Sequence, residues 1–302
     1  MKNKKTKNKL IVILGPTAVG KSKLAIKLAK KFGGEVISAD SRAVYKGMDI
    51  GTAKVTKKEM KGILHYLLDV ASPKKHFTVA QYKRLAQKAI EKIFKKGKIP
   101  ILCGGTFFYI QAVVDGIKIP KVPPDWKLRK KLEKKSAKEL YQILKKLDSK
   151  RAKTIDKKNK RRLIRAIEIA KKLGKVPPLK KEPLPYSVLM IGIKKPWKEL
   201  KKKIEKRFFN WLKRGLIKEV KNLRKKGISL KRIEDFGMHY RAISQYLQGK
   251  ISKEEMIKKS IKEIEKYAKK QMRWFKKDKR IKWVKNYREA EKLVKNFIKK
   301  EG

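Results

Sequence analysis

The octapeptide Gly15-Pro16-Thr17-Ala18-Val19-Gly20-Lys21-Ser22 constrains this chain more than any other stretch. It fits G-x-x-x-x-G-K-[ST] in full, and its flanks supply the context that the motif needs. Leu10–Leu14, "LIVIL", is a short β-branched apolar run of the kind that forms a buried parallel strand. After the motif, Leu24, Ala25, Leu28, Ala29 and Phe32 recur at helical spacing. A strand, a glycine loop and a helix therefore follow one another. In that arrangement backbone N–H groups turn inward around a phosphate, and the helix N-terminus adds positive potential. Lys21 can neutralise a terminal phosphate, and Ser22 can hold Mg²⁺. The sequence thus predicts that residues 15–22 bind a diphosphate or nucleotide, with Ser22 as the Mg²⁺ ligand.

The alternation continues. "GGEVISAD" reads as a second strand, "VAQYKRLAQKAIEKIFKKGK" as an amphipathic helix closed by Gly97, and "IPILCGGT" as a third strand running into a turn. That pattern belongs to an α/β fold with a parallel sheet. "IPKVPPDW" and "GKVPPLKKEPLP" are proline-rich breaks that bracket a charged helical segment of roughly 60 residues. "SVLMIGI" (187–193) is strand-like and is expected to return to the first sheet. From Trp197 onward the sequence reads as long helices with basic outer faces. The expected architecture is a P-loop NTPase-like parallel sheet core over 8–122 and 184–302, with an inserted all-helical domain over 123–183 and a helical, basic C-terminal part.

One missing acid and one present acid bear on chemistry. An NTP hydrolase usually ends a second strand in an Asp that positions Mg²⁺. Here Ile99–Leu102 runs into Cys103-Gly104-Gly105-Thr106, with no acid. The cradled phosphate can instead belong to a leaving group. Asp40 stands at the carboxyl end of the second strand, where open α/β sheets place ligands. It suits a general base, and equally a cap that accepts backbone N–H groups.

Charge points to a second, larger substrate. The chain of 302 residues carries 88 Lys+Arg against 27 Asp+Glu, a formal net charge of +61. A Lys-rich proteome accounts for part of this excess; the rest calls for a polyanion. Residues 1–120 hold 26 basic and 7 acidic side chains, and residues 121–302 hold 62 and 20. The second part is therefore the better candidate for gripping nucleic acid. The single cysteine, Cys103, excludes a disulfide framework and suits a reducing cytosol. No apolar run approaches the ~20 residues of a membrane span. A soluble cytoplasmic monomer that binds no membrane is expected.

"GPTAVGKS", "SADSRAVYKGMDIGTAK", "HYLLD", "FTVAQY" and "CGGTFFYIQAV" occur here in order, followed by "NKRRLIRAIEI", "RFFNWLKRGLIKEV" and "YAKKQMRWFKK". In these motifs and their spacing the chain resembles the tRNA dimethylallyltransferase (tRNA isopentenyltransferase) family, from Lys9 to about Val284. It is similar to the bacterial type, without the Cys/His finger that eukaryotic members append.

The resemblance implies transfer of a dimethylallyl group from dimethylallyl diphosphate to N6 of the adenosine 3′ of the anticodon, in tRNAs reading codons that begin with U. Diphosphate leaves, which explains a phosphate loop without the hydrolase acid. By that resemblance Asp40 is the general base, Thr106 lies beside the acceptor and Arg207 meets the diphosphate. Asp40, Ser41, Arg42 and Ala43 meet the target adenosine. The anticodon stem-loop falls to Thr106, Lys127, Arg161, Arg162, Arg165, Tyr240, Arg241, Lys270, Gln271 and Trp274. Core packing is the commoner role for aromatics at helical spacing such as Tyr240 and Trp274.

Several positions depart from the family pattern. Ala43 stands where many members have Gln, "GMHYR" replaces a Gly-Tyr-Lys/Arg-Glu pattern, and Arg273 replaces a common Thr. Tyr66 replaces the second of two His, so His65 implies no metal; His65 and Asp69 read as local structure.

Three other functions fit parts of the sequence. A small-molecule kinase would need no basic second half. A prenyltransferase acting on free AMP or ADP would not need the basic segments past residue 120. A P-loop RNA-binding protein without catalysis would not need Asp40 and Thr106.

Overall fold

A computed structural model describes residues 8–299. These divide into two compact units, one of residues up to Gly116 with those from Pro183 on, the other Ile117–Glu182.

The first unit is built on six parallel strands in the order β3-β2-β4-β1-β5-β6. β1 (Lys9–Leu14) lies centrally, and Leu10 to Leu14 are all fully buried. Burial on both faces explains why this run is continuously apolar rather than alternating. α1 (Lys21–Phe32) buries the stripe Leu24, Ala25, Leu28 and Ala29 against the sheet. β2 (Gly34–Ala39) leads through α2 (Lys57–Met60) to β3 (His65–Tyr66). α3 (Val79–Lys95) opens with a capping box between Thr78 and Gln81. β4 (Ile99–Gly104) then enters between β1 and β2, and α4 (Phe107–Val114) follows.

β5 (Ser187–Ile193) pairs with all of β1, Leu10 opposite Val188 and Leu14 opposite Gly192. The chain thus returns to the first sheet where "SVLMIGI" was expected to. Beyond it run α9 (Trp197–Lys213), α10 (Leu216–Lys225), α11 (Leu230–Asp235), α12 (Met238–Leu247) and α13 (Lys253–Phe275). The expectation of helices alone in this region is corrected. β6 (Lys282–Val284) adds a sixth strand on β5 before α14 (Tyr287–Lys299). At three residues, β6 leaves no periodicity to read in the sequence.

The second unit holds α5 (Trp126–Glu133), α6 (Ala137–Leu147), α7 (Ser149–Thr154) and α8 (Lys160–Leu173). Leu132, Leu140, Leu144, Leu163 and Ile167 form its own small core. It begins six residues before the expected boundary at 123. The cause is an antiparallel bridge of Ile117 with Lys181, which closes the unit ahead of the prolines. Among the described residues no helix is long and apolar enough to cross a membrane.

Candidate functional site: a phosphate cradle facing a carboxylate

The glycine loop between β1 and α1 has the backbone its sequence implies. Gly15 adopts φ 145°, and a Cβ there would come within 2.7 Å of the Ile193 carbonyl oxygen. Gly20 sits at φ 102° as the N-cap of α1 and supplies no side-chain cap. The first amides of α1 are therefore open to an anion. Ala18 also takes a left-handed φ of 64°, which helps curl the loop into a concavity lined by N–H groups. Lys21 folds back so that Nζ donates to the Pro16 carbonyl at 2.7 Å.

Two helices from the far end of the chain reach this loop. Arg207 on α9 donates from Nη2 to Thr17 Oγ1. Its Nε is buried without a hydrogen-bond partner, and its guanidinium lies 4.7 Å from the Trp211 ring centre. Gln271 on α13 accepts from the Thr17 backbone N–H at 2.8 Å and donates to the Gly105 carbonyl at 2.8 Å. Burial lowers both cations, Lys21 to about 8 and Arg207 to about 10.

The acid side is assembled where β2 and β4 end together. Gly104 packs so closely on Ala39 that a Cβ would meet its carbonyl oxygen at 2.2 Å. The Thr106 N–H donates to that same carbonyl at 3.1 Å. Asp40 follows. Its Oδ1 accepts from the backbone N–H of Arg42 at 2.7 Å and of Ala43 at 3.2 Å. One oxygen therefore caps the turn, as the cap reading expects, and Asp40 also lines the cleft. The Ser41 N–H donates to Thr106 Oγ1 at 3.0 Å.

Thr17, Lys21, Ser22, Asp40, Ala43, Cys103 and Arg207 line one cleft together with Thr52, Lys54, Val55, His65 and Leu68. Cys103 occupies the strand end where a hydrolase acid would stand. Burial pushes its thiol up to about 12, so it contributes no negative charge near neutral pH. Among the described residues no three His, Cys, Asp or Glu side chains group as metal ligands. The oxygen donors of the cleft are the Asp40 carboxylate and the hydroxyls of Thr17, Ser22, Ser38 and Thr52. This set fits Mg²⁺, which takes few protein ligands and draws the rest from phosphate oxygens and water.

Some assigned residues lie elsewhere. Tyr240 is fully buried and its hydroxyl donates to Glu219 at 2.9 Å, so it is a core residue and not an RNA contact. Gln271 is 4% exposed and both ends of its amide are engaged within the protein, which removes it from the RNA-facing set. Trp274 is half-buried, stacked on Phe107 at 5.2 Å. Arg42 donates from Nε to the Phe236 carbonyl. Arg241 and Lys270 are exposed.

In the helical unit Lys127, Arg161 and Arg162 are exposed, whereas Arg165 is held by the Val122 carbonyl and Glu168. Arg165 is thus a structural residue of that unit. Glu168 also binds Arg129 through both carboxylate oxygens, at 2.6 and 2.7 Å.

Three residues escaped the sequence reading. Glu219 accepts from the backbone N–H groups of Asp49, Ile50 and Gly51, and so fixes the segment leading into residues 52–55. Lys54 pairs with Asp49 and Asp69 at 2.5 and 2.6 Å, which gives Asp69 its local role. Tyr267, one turn before Gln271, lies near Thr106 and Gln271, and burial pushes its hydroxyl up to about 12. Its i, i+4 spacing from Gln271 was the available signal.

A parallel sheet with a phosphate loop after β1, two converging cations and a carboxylate at the end of β2, across β4, defines a P-loop fold fitted for group transfer. The IPP transferase family pattern matches residues 43–278. The chain is 40% identical to a tRNA dimethylallyltransferase of Acetivibrio thermocellus over 299 residues, 95% of this chain and 96% of that one. It superposes on the tRNA isopentenylpyrophosphate transferase of Bacillus halodurans with a TM-score of 0.72 at 37% identity, covering 97% and 96% of the two chains. A eukaryotic dimethylallyltransferase solved acting on tRNA gives a TM-score of 0.78 at 27% identity, over 96% of this chain and 77% of that one. The chain belongs to the IPP transferase family, as the tRNA dimethylallyltransferases among its relatives do.

Proposed function

We propose that the protein transfers the dimethylallyl group of dimethylallyl diphosphate to N6 of the adenosine immediately 3′ of the anticodon, in tRNAs reading codons that begin with U. Family membership supports the reaction class. The observation that carries the assignment of groups is one cleft lined together by Lys21, Ser22, Asp40 and Arg207, at the open N-terminus of α1.

In this reading the diphosphate lies in the glycine loop. The open amides, Lys21 and Arg207 meet the charge that grows on it as the bond from C1 to oxygen breaks. N6 of the adenine forms the new bond to C1, and Asp40 takes the proton that N6 gives up. Ser22 would hold Mg²⁺, which when bound supplies further positive charge at the diphosphate. The base must leave its stack to reach Asp40. Exposed Lys127, Arg161, Arg162, Arg241 and Lys270 supply backbone grip on the anticodon stem-loop. The enzyme works as a cytoplasmic monomer.

The test incubates the protein with labelled dimethylallyl diphosphate and unmodified tRNA, free AMP or no acceptor. Label on tRNA alone is expected. Label on AMP alone, or turnover of ATP without transfer, overturns the reading.

A further inference from the structure

We propose that Gln271 is a positioning residue that holds the donor cradle at a fixed distance from the acid-bearing turn. The inference rests on the reaction proposed above. It moves Gln271 from the RNA surface, where its neighbours Lys270 and Arg273 are exposed, to the inside of the machinery.

The geometry suits a primary amide. Oε1 accepts from the Thr17 N–H, on the near rim of the glycine loop, at 2.8 Å. Nε2 donates to the Gly105 carbonyl, the residue before Thr106, at 2.8 Å. One contact needs an acceptor and the other a donor, and a primary amide in one orientation satisfies both at any pH. The approach is tight: a Cβ on Gly105 would lie 2.2 Å from Nε2, so position 105 must be glycine for the amide to enter. With Gln271 buried, a lost partner would leave a polar backbone group unsatisfied.

Each end of this bracket leads to chemistry within two residues. Thr17 also accepts from Arg207 through its hydroxyl, so the bracket and the guanidinium seat the same residue. Thr106 holds the Ser41 N–H, and Asp40 precedes it. Tyr267, on the same helix face, lies near both Thr106 and Gln271. The chain of contacts runs from the phosphate loop through Gln271 to the turn that carries Asp40. Reacting groups misplaced by about 1 Å can lose on the order of 10²-fold in rate. The bracket therefore acts on the chemical step more than on either binding step.

Two variants test this. Gln271→Met keeps the volume and loses both hydrogen bonds. Gln271→Glu keeps the acceptor for Thr17 and sets a carboxylate against the Gly105 carbonyl. In steady-state transfer from dimethylallyl diphosphate to a tRNA anticodon stem-loop, kcat falls about 10- to 100-fold in both. KM for each substrate and Kd for the stem-loop, measured by fluorescence anisotropy, stay within threefold. Amide hydrogen exchange at Thr17 speeds up at least tenfold in Gln271→Met. A rise in stem-loop Kd with kcat intact would identify an RNA contact and overturn the proposal, as would unchanged exchange at Thr17. If the wild-type protein transfers no dimethylallyl group, the proposed reaction fails, and the exchange readout alone still decides the bracket.

Discussion

The backbone N–H of Ser41 donates to Thr106 Oγ1 at 3.0 Å, so the residue after the candidate base is pinned to the strand end beside it. Asp40 Oδ1 is occupied by the Arg42 and Ala43 amides, and the turn is held whether or not the carboxyl is charged. Asp40→Asn keeps that acceptor oxygen and removes the base. Its transfer rate should fall by about 10²–10⁴ while stem-loop affinity stays within twofold. Single-turnover kinetics alongside a binding titration separate the two quantities. An unchanged rate would take Asp40 out of the reaction.

Lys21 gives the cleft a pH dependence of known sign. Burial lowers its ammonium to about 8, so it is charged below that pH and neutral above. Affinity for inorganic diphosphate should decline as pH rises through about 8, tracked by calorimetry from pH 7 to 9. Lys21→Met should bind weakly throughout and lack this component of the slope. The same slope in both proteins would assign it to another group.

How much of this was legible in the sequence depends on what dictated each residue. The glycine loop was readable because its backbone conformation admits few residue types, and Asp40 because a strand end fixes its place. The family resemblance puts Gln271 and Tyr240 on the RNA side of their helices, and both are buried; for Tyr240 helical spacing alone already favours the core. A polar or aromatic residue inside a strongly basic stretch invites assignment to the charged face. Ala268, Gln271 and Phe275 form an i, i+3, i+7 stripe, and all three are buried. Helical periodicity, weighed above polarity, would have turned Gln271 inward. Glu219 was beyond reach, because its partners lie about 170 residues away and no local pattern announces them.

Tyr240 and Glu219 give a test that separates core from interface. The Tyr240 hydroxyl supplies one of four hydrogen bonds to the buried carboxylate. Tyr240→Phe keeps the ring and leaves that position unfilled. A hydrogen bond to a charged group contributes about 1.5–3 kcal/mol, so chemical denaturation should show a loss of that order. Stem-loop affinity should hold within twofold. A tenfold loss of affinity at unchanged stability would return Tyr240 to the RNA surface.

The basic side chains of the helical unit sort by what holds them. Arg161 and Arg162 are exposed on α8, whereas Arg165, one turn on, is bound to Val122 and Glu168. Neutralising a side chain that contacts a phosphate reduces the slope of log K against log salt by about 0.7–0.9. Arg161→Ala and Arg162→Ala should each lower the slope for a tRNA stem-loop by that amount, with a smaller effect on thermal stability than Arg165→Ala. Arg165→Ala should do the reverse, because it strips a partner from the buried Glu168 and from the Val122 carbonyl. The slope should then stay near the wild-type value while the melting temperature falls. Titrations from 50 to 300 mM salt, paired with melting curves, read both effects. A slope change in Arg165→Ala without a change in stability would mean that its guanidinium leaves Glu168 to meet RNA.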